Sequence, residues 1–249
     1  MKRIYFASDF HLGAPDDAHS LLREKKIIRW LDSIASDAEA IYLVGDLFDF
    51  WFEYRYTVPK GHVRFLGKLA ELSDRGIEIH FFTGNHDMWM FDYFEKELGV
   101  KMHRKPVQFE RNGHRFFIGH GDGLGPGDYG YKFIKIIFAS KICQWLFARL
   151  HPNFSFAIAN FWSKRSRKLN GSSDEIFLGE DQEWLAIYAK DILNREQYDY
   201  FIFGHRHLPL EIQLSSSSKY INLGAWFKDC TYACYDGEKL SLQRWEKSE

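Results

Sequence analysis

Seven side chains in this sequence are of the types that bind divalent metal ions, and each stands at or just past the end of an apolar run typical of a buried strand. They combine carboxylate, amide and imidazole groups without any thiolate: Asp9, His11, Asp46, Asn85, His120, His205 and His207. Such oxygen and nitrogen ligands suit Mn, Fe or Zn ions in a reactive site rather than a cysteine-rich structural zinc site. Seven ligands are too many for one ion that must also hold water and substrate, so we predict two ions that share the Asp46 carboxylate.

A pair of ions about 3.5–4 Å apart binds a phosphoryl oxygen, lowers the pKa of a bridging water and stabilises an in-line displacement at phosphorus. Each motif taken alone has a simpler interpretation, since an Asp after a strand can cap the next helix and a Gly-Asn-His-Asp segment can be an ordinary turn. The pattern recurs after five strands, however, and chance does not account for five such positions. We therefore predict that all five segments contribute to one metal site, which holds both ions.

Alternating strands and helices would bring these side chains together. Apolar runs at 4–7, 41–44 and 77–82 predict three buried strands, and helical spacing at 20–35 and 63–72 predicts the helices between them. This β-α-β-α-β order indicates a largely parallel sheet covered by helices. In such a sheet, polar residues past the carboxyl ends of the strands meet at one edge.

Further strands are predicted at 115–119 and 198–203, and a helix is predicted to begin at 88–91. The C-terminal part is predicted to be mostly antiparallel. Its strands are expected at 220–223, 231–235 and 240–245, and Asp236-Gly237 is a hairpin turn signal between the last two.

The composition is that of a globular protein and gives no sign of a nucleic-acid-binding, disulfide-rich or membrane-spanning chain. The 249 residues carry a formal net charge of −1, so there is no general case for binding nucleic acid, and 45% hydrophobic with 27% charged residues fits a soluble globular protein. Three cysteines without a CxxC pair predict a reducing compartment and no disulfide framework. The N-terminus lacks the apolar run of a signal peptide, and the sequence has no stretch of apolar residues long enough to span a membrane.

In their order along the chain, the five motifs resemble those of the calcineurin-like metallophosphoesterase superfamily: Asp9-x-His11, Gly45-Asp46, Gly84-Asn85-His86-Asp87, Gly119-His120-Gly121-Asp122 and Gly204-His205-Arg206-His207. The resemblance covers residues 4 to about 235. It implies an α/β fold, a four-layer α/β/β/α sandwich, in which Asp9, His11, Asp46 and His207 hold one ion and Asp46, Asn85, His120 and His205 hold the other. His86 would contact the substrate phosphate as transition-state stabiliser or general acid, in a catalytic set with Asp46 and Asn85.

The segment between His120 and His205 is longer than a strand–helix–strand crossover requires. We expect a helical insertion, a lid, at 124–195 within a single domain of residues 1–249. Apolar residues at 130–150 surround the helix axis, and residues 124–170 carry eight Lys or Arg against one acid, a net charge of +7 that leaves −8 for the rest. A cationic, apolar lid suits an anionic lipid surface or a lipid-linked phosphate. The alternative is a helical hairpin that only completes the core.

This insertion is similar in position and character to that of the UDP-2,3-diacylglucosamine pyrophosphatases of lipid A synthesis. The resemblance implies a lid that accepts two acyl chains, water attack on the α-phosphorus of a lipid-linked UDP-sugar, two ions that are typically Mn²⁺, and a peripheral position on the cytoplasmic face of the inner membrane. It also implies substrate contacts at Asn85, His86 and His205, at Asp128 just past the His120 motif, and within Ser163–Lys168, where we choose Ser166 and Arg167.

One residue departs from that family, whose better-known members have Arg where this chain has His86. Arg carries a permanent charge, whereas His supplies charge only when it is protonated. Other interpretations are a nucleotide phosphodiesterase or nuclease on the same scaffold, a non-catalytic scaffold, and a membrane-binding module with an incidental metal site. A nuclease should show an exposed basic groove with stacking aromatics, which a basic tract inside an apolar insertion fits poorly.

Overall fold

The fold consists of eleven strands and seven helices within residues 2–127, 129–170 and 176–245, which the computed structural model describes. The strands are β1 Arg3–Ala7, β2 Ala38–Val44, β3 Glu78–Phe82, β4 Lys101–His103, β5 Val107–Arg111, β6 His114–Gly119, β7 Tyr200–Phe203, β8 Pro209–Gln213, β9 Lys219–Leu223, β10 Thr231–Tyr235 and β11 Leu240–Arg244. The helices are α1 Asp17–Ile34, α2 Val63–Asp74, α3 Tyr93–Leu98, α4 Tyr129–Ala139, α5 Lys141–Phe147, α6 Pro152–Asn170 and α7 Trp184–Leu193.

The strands form two sheets. The first has six strands in the order β11-β10-β1-β2-β3-β4, and β1 to β4 are parallel. The second has five strands in the order β5-β6-β7-β9-β8, with β6, β7 and β9 parallel and the outer strands antiparallel to them. The predicted β-α-β-α-β order and the β10–β11 hairpin are confirmed.

Alternation along the strands produces the four layers. In β1, Tyr5 and Ala7 pack against the helix side of the first sheet, whereas Ile4 and Phe6 pack into the core between the sheets. In β7, Ile202 joins that same inner core, and its neighbours pack on the far side of the second sheet with α7. Successive side chains of a strand point to opposite faces, so each sheet is buried on both sides. The predicted α/β/β/α sandwich is confirmed.

Two helix predictions need correction. No helix begins at 88–91; that segment contains an isolated bridge between Trp89 and Phe52, and α3 begins only at Tyr93. The expected single helix across 130–150 is two helices, α4 and α5, separated at Ser140, whose extended backbone (ψ 126°) interrupts the helix. Because of this break, the apolar side chains that surround the segment are divided between two shorter helices.

The predicted extent of the insertion, 124–195, includes an element that packs with the sheets. Helix α7 buries Leu185, Ala186 and Ala189 in the core cluster that also contains Phe201 and Tyr220 of the second sheet. By contrast, no residue of α4 or α5 is buried. The boundary at 195 stays a prediction, and we propose that the lid proper comprises α4 to α6.

A buried histidine of β3 makes stability depend on pH. His80 stacks on Tyr42 with ring centroids 4.2 Å apart, shares a 2.9 Å hydrogen bond with His103, and has its pKa lowered to about 4 by burial and by the nearby His103 and Lys101. Because the unfolded pKa is higher, His80 contributes stability that is present above about pH 6.5 and lost as the pH falls towards 4. Between pH 6.5 and pH 5, the free energy of unfolding of the wild type should fall by about 1 kcal/mol more than that of His80→Gln.

Urea unfolding of both chains across that pH range measures the difference. His19→Gln, a change at an exposed histidine, is the matched control and should follow the wild type. Parallel stability curves for wild type and His80→Gln would contradict the prediction.

Candidate metal centre

The carboxyl ends of β1, β2 and β3 in one sheet and of β6 and β7 in the other meet at one edge of the sandwich. There, ligand atoms of Asp9, His11, Asp46 and His207 all lie within 4.8 Å of one another. Those of Asp46, His120 and His205 form a second such group, so Asp46 belongs to both. The structure therefore brings together, around one shared carboxylate, two clusters of residues that the sequence places far apart.

The first cluster presents ligand atoms with few other partners. The facing Nε2 atoms of His11 and His207 are 3.0 Å apart, and His207 Nε2 lies 3.2 Å from Asp9 Oδ1. Asp9 is fully buried, and its Oδ1 accepts no hydrogen bond from the described part of the chain. A buried carboxylate oxygen left in this way is costly unless a cation takes it up. The donor set thus fits a divalent ion.

The second cluster is oriented by the backbone. His120 Nδ1 donates a 2.8 Å hydrogen bond to the carbonyl of Val44, which directs Nε2 towards Asp46 Oδ2 and Asn85 Oδ1, each 3.3 Å away. An imidazole held through its other nitrogen is the usual arrangement of a metal-ligating histidine. Asn85 thereby joins the second cluster, as the sequence resemblance implies.

The electrostatics of the site favour positive charge. Burial alone would lower the pKa of His120, but the Asp46 and Asp9 carboxylates raise it to about 10. Burial and neighbouring His120 lower the pKa of His205 to about 4, which keeps that ring neutral and able to act as a ligand. The same two buried carboxylates, Asp9 and Asp46, would attract a divalent cation in place of that proton.

Five of the seven candidate ligands have a left-handed backbone: φ is 55° at Asp9, 44° at His11, 52° at Asp46, 70° at His205 and 51° at His207. Non-glycine residues rarely adopt this conformation, and it costs free energy that the surrounding structure must supply. Here it turns the chain sharply past each strand. The Asp9 and His11 side chains therefore do not converge through the simple alternation of an extended segment.

Glycines next to the ligands allow close approach. A Cβ added at Gly84 would overlap the Asp46 carboxylate, and one at Gly45 would overlap the His120 ring. At Gly204 an added Cβ would come within 2.6 Å of Asp9 Oδ2. The glycines of the Gly-Asp, Gly-Asn-His-Asp and Gly-His-Arg-His motifs are thus required by packing against the ligands.

His86 and Asp87 connect the loops after β2 and β3. The His86 amide donates to Asp46 Oδ1 at 2.9 Å, and its ring Nδ1 lies 3.1 Å from the carbonyl of Asp49. The buried Asp87 carboxylate accepts hydrogen bonds from the amides of Leu47 and Gly84, at 2.7 and 2.8 Å. Burial and the adjacent Asp46 raise the pKa of Asp87 to about 7. These bonds hold the Asp46 and Asn85 loops in one relative position.

Asp49 was not among the predicted site residues, although it closes the Gly45–Asp49 segment. Its buried Oδ1 lies 3.8 Å from Nδ1 of both His11 and His86, and its Oδ2 accepts a 3.0 Å hydrogen bond from Ser163 of α6. The sequence does place this Asp only three residues after Asp46, which is a weak indication of a role in the site. Its hydrogen bond to Ser163, however, joins residues 114 positions apart, and no local pattern predicts such a contact.

We expect Asp49→Asn to lower kcat/KM about 10–100-fold, because the amide keeps an acceptor for Ser163 but removes the negative charge that lies 3.8 Å from the Nδ1 atoms of His11 and His86. Ser163→Ala should reduce kcat/KM less, since it removes only the lid contact. Cleavage of bis-p-nitrophenyl phosphate and Mn²⁺ affinity by calorimetry measure both variants. Unchanged kcat/KM in Asp49→Asn would contradict the assignment.

The lid lies on aromatic residues of the ligand loops. Phe50 and Phe52 follow Asp46, Trp89 follows Asn85, and Phe147 of α5 packs on them with centroid distances of 6.1, 4.8 and 4.6 Å. Trp89 Nε1 also donates to the carbonyl of Phe138 at the end of α4. The lid is thus adjacent to the metal centre.

The predicted substrate contacts on the lid lie partly beyond what the structure describes. Asp128 is outside the described residues, and at Ser166 and Arg167 only the helical backbone of α6 is described. Their roles stay predictions.

Within the described residues, we find no helix whose length and apolarity would let it cross a membrane.

Comparison with known proteins gives three findings. The family model described as calcineurin-like phosphoesterase matches residues 2–209. UDP-2,3-diacylglucosamine hydrolase of Porphyromonas gingivalis is 40% identical over 99% of this chain and 99% of its own length, and the protein of that name from Aeromonas salmonicida is 31% identical over 96% and 92%. The solved structure of Yfce, a phosphoesterase from E. coli, is a more distant likeness: the match covers 96% of this chain and 91% of that one, with a TM-score of 0.47 and 16% identity.

Proposed function

This chain belongs to the calcineurin-like phosphoesterase family, and on that premise we propose that it hydrolyses the pyrophosphate bond of UDP-2,3-diacylglucosamine to UMP and 2,3-diacylglucosamine 1-phosphate. The predictions of a metallophosphoesterase and of a hydrolase are confirmed by the family match. The observation that carries the proposal is the apolar, cationic lid beside the paired clusters, in a chain 40% identical to a UDP-2,3-diacylglucosamine hydrolase.

We propose that Asp9, His11, Asp46 and His207 hold one divalent ion, and that Asp46, Asn85, His120 and His205 hold the other. The family uses divalent metals, and we propose Mn²⁺ because the UDP-2,3-diacylglucosamine pyrophosphatases that this chain resembles typically use it. The carboxylate, amide and imidazole ligands are compatible with that ion. When bound, the ions polarise the phosphoryl group and supply a nucleophilic water at neutral pH.

The residues of the chain orient the substrate and handle its charge. Since His86 Nδ1 donates to the carbonyl of Asp49, Nε2 is the nitrogen left to face the substrate. Once Nε2 is protonated, the ring carries a positive charge that stabilises the departing sugar phosphate, the role of Arg in better-known members of the family. His205 and Asn85 would contact the phosphate from the second cluster.

The lid would accept the acyl chains. Many of its large apolar side chains are exposed to solvent in the described part of the chain: Tyr129, Phe133, Ile136, Ile142, Trp145, Leu146, Phe154, Phe161 and Trp162. Lysines and arginines lie among them, as at Lys141 and Arg149. Apolar side chains with interspersed cations favour contact with an anionic membrane surface. We propose a peripheral position on the cytoplasmic face of the inner membrane.

Release of UMP from UDP-2,3-diacylglucosamine in detergent tests the proposal. Metal-stripped protein should be inactive and should regain UMP release on addition of Mn²⁺. Cleavage of bis-p-nitrophenyl phosphate without any UMP release would reject the substrate and leave the metal site in place. Absence of both activities would favour a non-catalytic scaffold.

A second candidate is a nucleotide phosphodiesterase, because His86 stands where a permanent charge would be expected. A phosphodiester with a poor alkoxide leaving group needs a proton, which His86 can supply and Arg cannot. Faster turnover of a nucleoside phosphodiester than of UDP-2,3-diacylglucosamine would favour this candidate.

A further inference from the structure

Phe227 is an exposed aromatic residue at the edge of the metal centre that the proposed mechanism does not use. It is 41% exposed, whereas the preceding Ala225 and Trp226 are buried. A single exposed Phe needs no explanation in itself. Its ring, however, contacts two candidate ligands edge to face, with centroids 5.7 Å from His11 and 5.2 Å from His207.

The loop that carries Phe227 is fixed to the site. The Trp226 amide donates to the carbonyl of Asp9 at 3.1 Å, and the Asp229 amide closes the turn on the carbonyl of Ala225 at 2.9 Å. The Trp226 ring packs on Phe10 and Trp30 at 5.3 and 5.0 Å. These contacts hold the Phe227 backbone at a set position relative to Asp9.

A cation lies beside the same ring. The Arg23 guanidinium is 5.9 Å from the centroid of Phe227, and it is held by hydrogen bonds to the carbonyls of Phe10, His11 and Ala14 at 2.9, 3.1 and 2.5 Å. Arg23 is buried in α1. The loop and Arg23 together hold Phe227 as an aromatic surface beside the metal centre.

Phe227 and the lid reach the metal centre from different loops. The lid contacts the loops after β2, β3 and β6, through Asp49, Trp89 and Asp122. Phe227 lies in the loop after β9, beside the residues that follow β1 and β7. Among described residues, the aromatic and cation–π contacts of Phe227 are with His11, His207 and Arg23, none of which belongs to α4 to α6.

The proposed substrate has two arms joined at the pyrophosphate. If its acyl arm lies against the lid, the uridine arm extends from the metal centre away from the lid, and Phe227 is an exposed aromatic residue beside His11 and His207. Every base has a π face, and stacking on an aromatic side chain contributes about 1–3 kcal/mol per base. We propose that Phe227 is the platform on which the uracil base stacks, a subsite for the nucleotide arm; this rests on the proposed function.

Binding of two ligands to the Mn²⁺-loaded protein tests the subsite without turnover. UMP and ribose 5-phosphate share a phosphate and a ribose, but only UMP has a base. Calorimetry should show the wild type binding UMP about tenfold more tightly than ribose 5-phosphate. Phe227→Leu, which keeps apolar bulk without a ring, should bind both alike, and Phe227→Tyr should keep the preference for UMP. Tyr56→Leu, a change at an exposed aromatic beside Arg55, should match the wild type.

Kinetics separate this proposal from the proposed function. With UDP-2,3-diacylglucosamine, Phe227→Leu should raise KM about tenfold with little change in kcat, whereas Phe227→Tyr should keep the wild-type KM. Equal affinities of the wild type for UMP and ribose 5-phosphate would overturn the subsite even if UMP is released. An effect of Phe227→Leu that varies with acyl-chain length would also overturn it and place Phe227 in the lipid site. No UMP release by the wild type would instead reject the proposed function.

Discussion

Asp46→Asn is expected to lower kcat about 10³-fold with UDP-2,3-diacylglucosamine. Asp46 is the one carboxylate in both clusters, its side chain is 1% exposed, and one of its oxygens also accepts the His86 amide. Replacing it by a neutral amide removes the charge that we propose two cations share, and a 10³-fold loss corresponds to about 4 kcal/mol at 1.36 kcal/mol per tenfold in rate. UMP release at saturating substrate and Mn²⁺ measures the loss.

The matched control for this prediction is Asp32→Asn, an exposed aspartate whose partner is Lys68. It removes the same charge from the surface and should leave kcat unchanged. Metal analysis after gel filtration should find fewer than two ions per chain in Asp46→Asn and two in the control. Full activity and two retained ions in Asp46→Asn would exclude Asp46 as the bridging ligand.

Gly84→Ala is expected to lower kcat at least 10²-fold while the chain still folds. An added Cβ would overlap the Asp46 carboxylate and its backbone amide, so the loop after β3 must shift away from that after β2. A displacement of about 1 Å at reacting groups is enough for a 10²-fold loss. The backbone of Gly84 does not have positive φ, so the loss would come from the Asp46 contact and not from a strained alanine.

Gly67→Ala provides the matched substitution. Gly67 lies within α2, and an added Cβ there meets nothing within 4 Å. Alanine in a helix interior is favoured over glycine by about 0.5–1 kcal/mol, so this variant should be slightly more stable and fully active. Circular dichroism spectra and melting temperatures of both variants show whether they fold. Wild-type kcat in Gly84→Ala would mean that the two loops tolerate the shift.

The positions of the candidate ligands were predictable because each motif follows a run of apolar residues. Parallel strands such as β1, β2 and β3 end at one edge of a sheet, so Asp9, Asp46 and Asn85 had to lie near one another once the strands were recognised. The carboxylate, amide and imidazole groups, without any thiolate, indicated a reactive divalent-metal site rather than a structural zinc site. The four-layer architecture followed from the resemblance, and the alternation of Ile4, Tyr5, Phe6 and Ala7 between two cores is its physical basis.

Long-range contacts and backbone conformations were not predictable in this way. The left-handed φ of His205 and His207 depends on the whole edge of the sandwich, since propensity disfavours it locally. The hydrogen bond between Ser163 and Asp49 and the contact of Phe227 with His11 join residues more than a hundred positions apart. No glycine or proline, the residues that usually mark a helix break, stands between α4 and α5.

Hydrolysis in ¹⁸O-labelled water tests the central claim most directly. Mn²⁺-loaded protein acting on UDP-2,3-diacylglucosamine should release UMP that carries one ¹⁸O atom, with none in the sugar phosphate, because water attacks the α-phosphorus. Mass spectrometry of both products reads out the result, and the stripped protein should release neither. Label found in 2,3-diacylglucosamine 1-phosphate, or no UMP at all from protein that cleaves bis-p-nitrophenyl phosphate, would contradict the account.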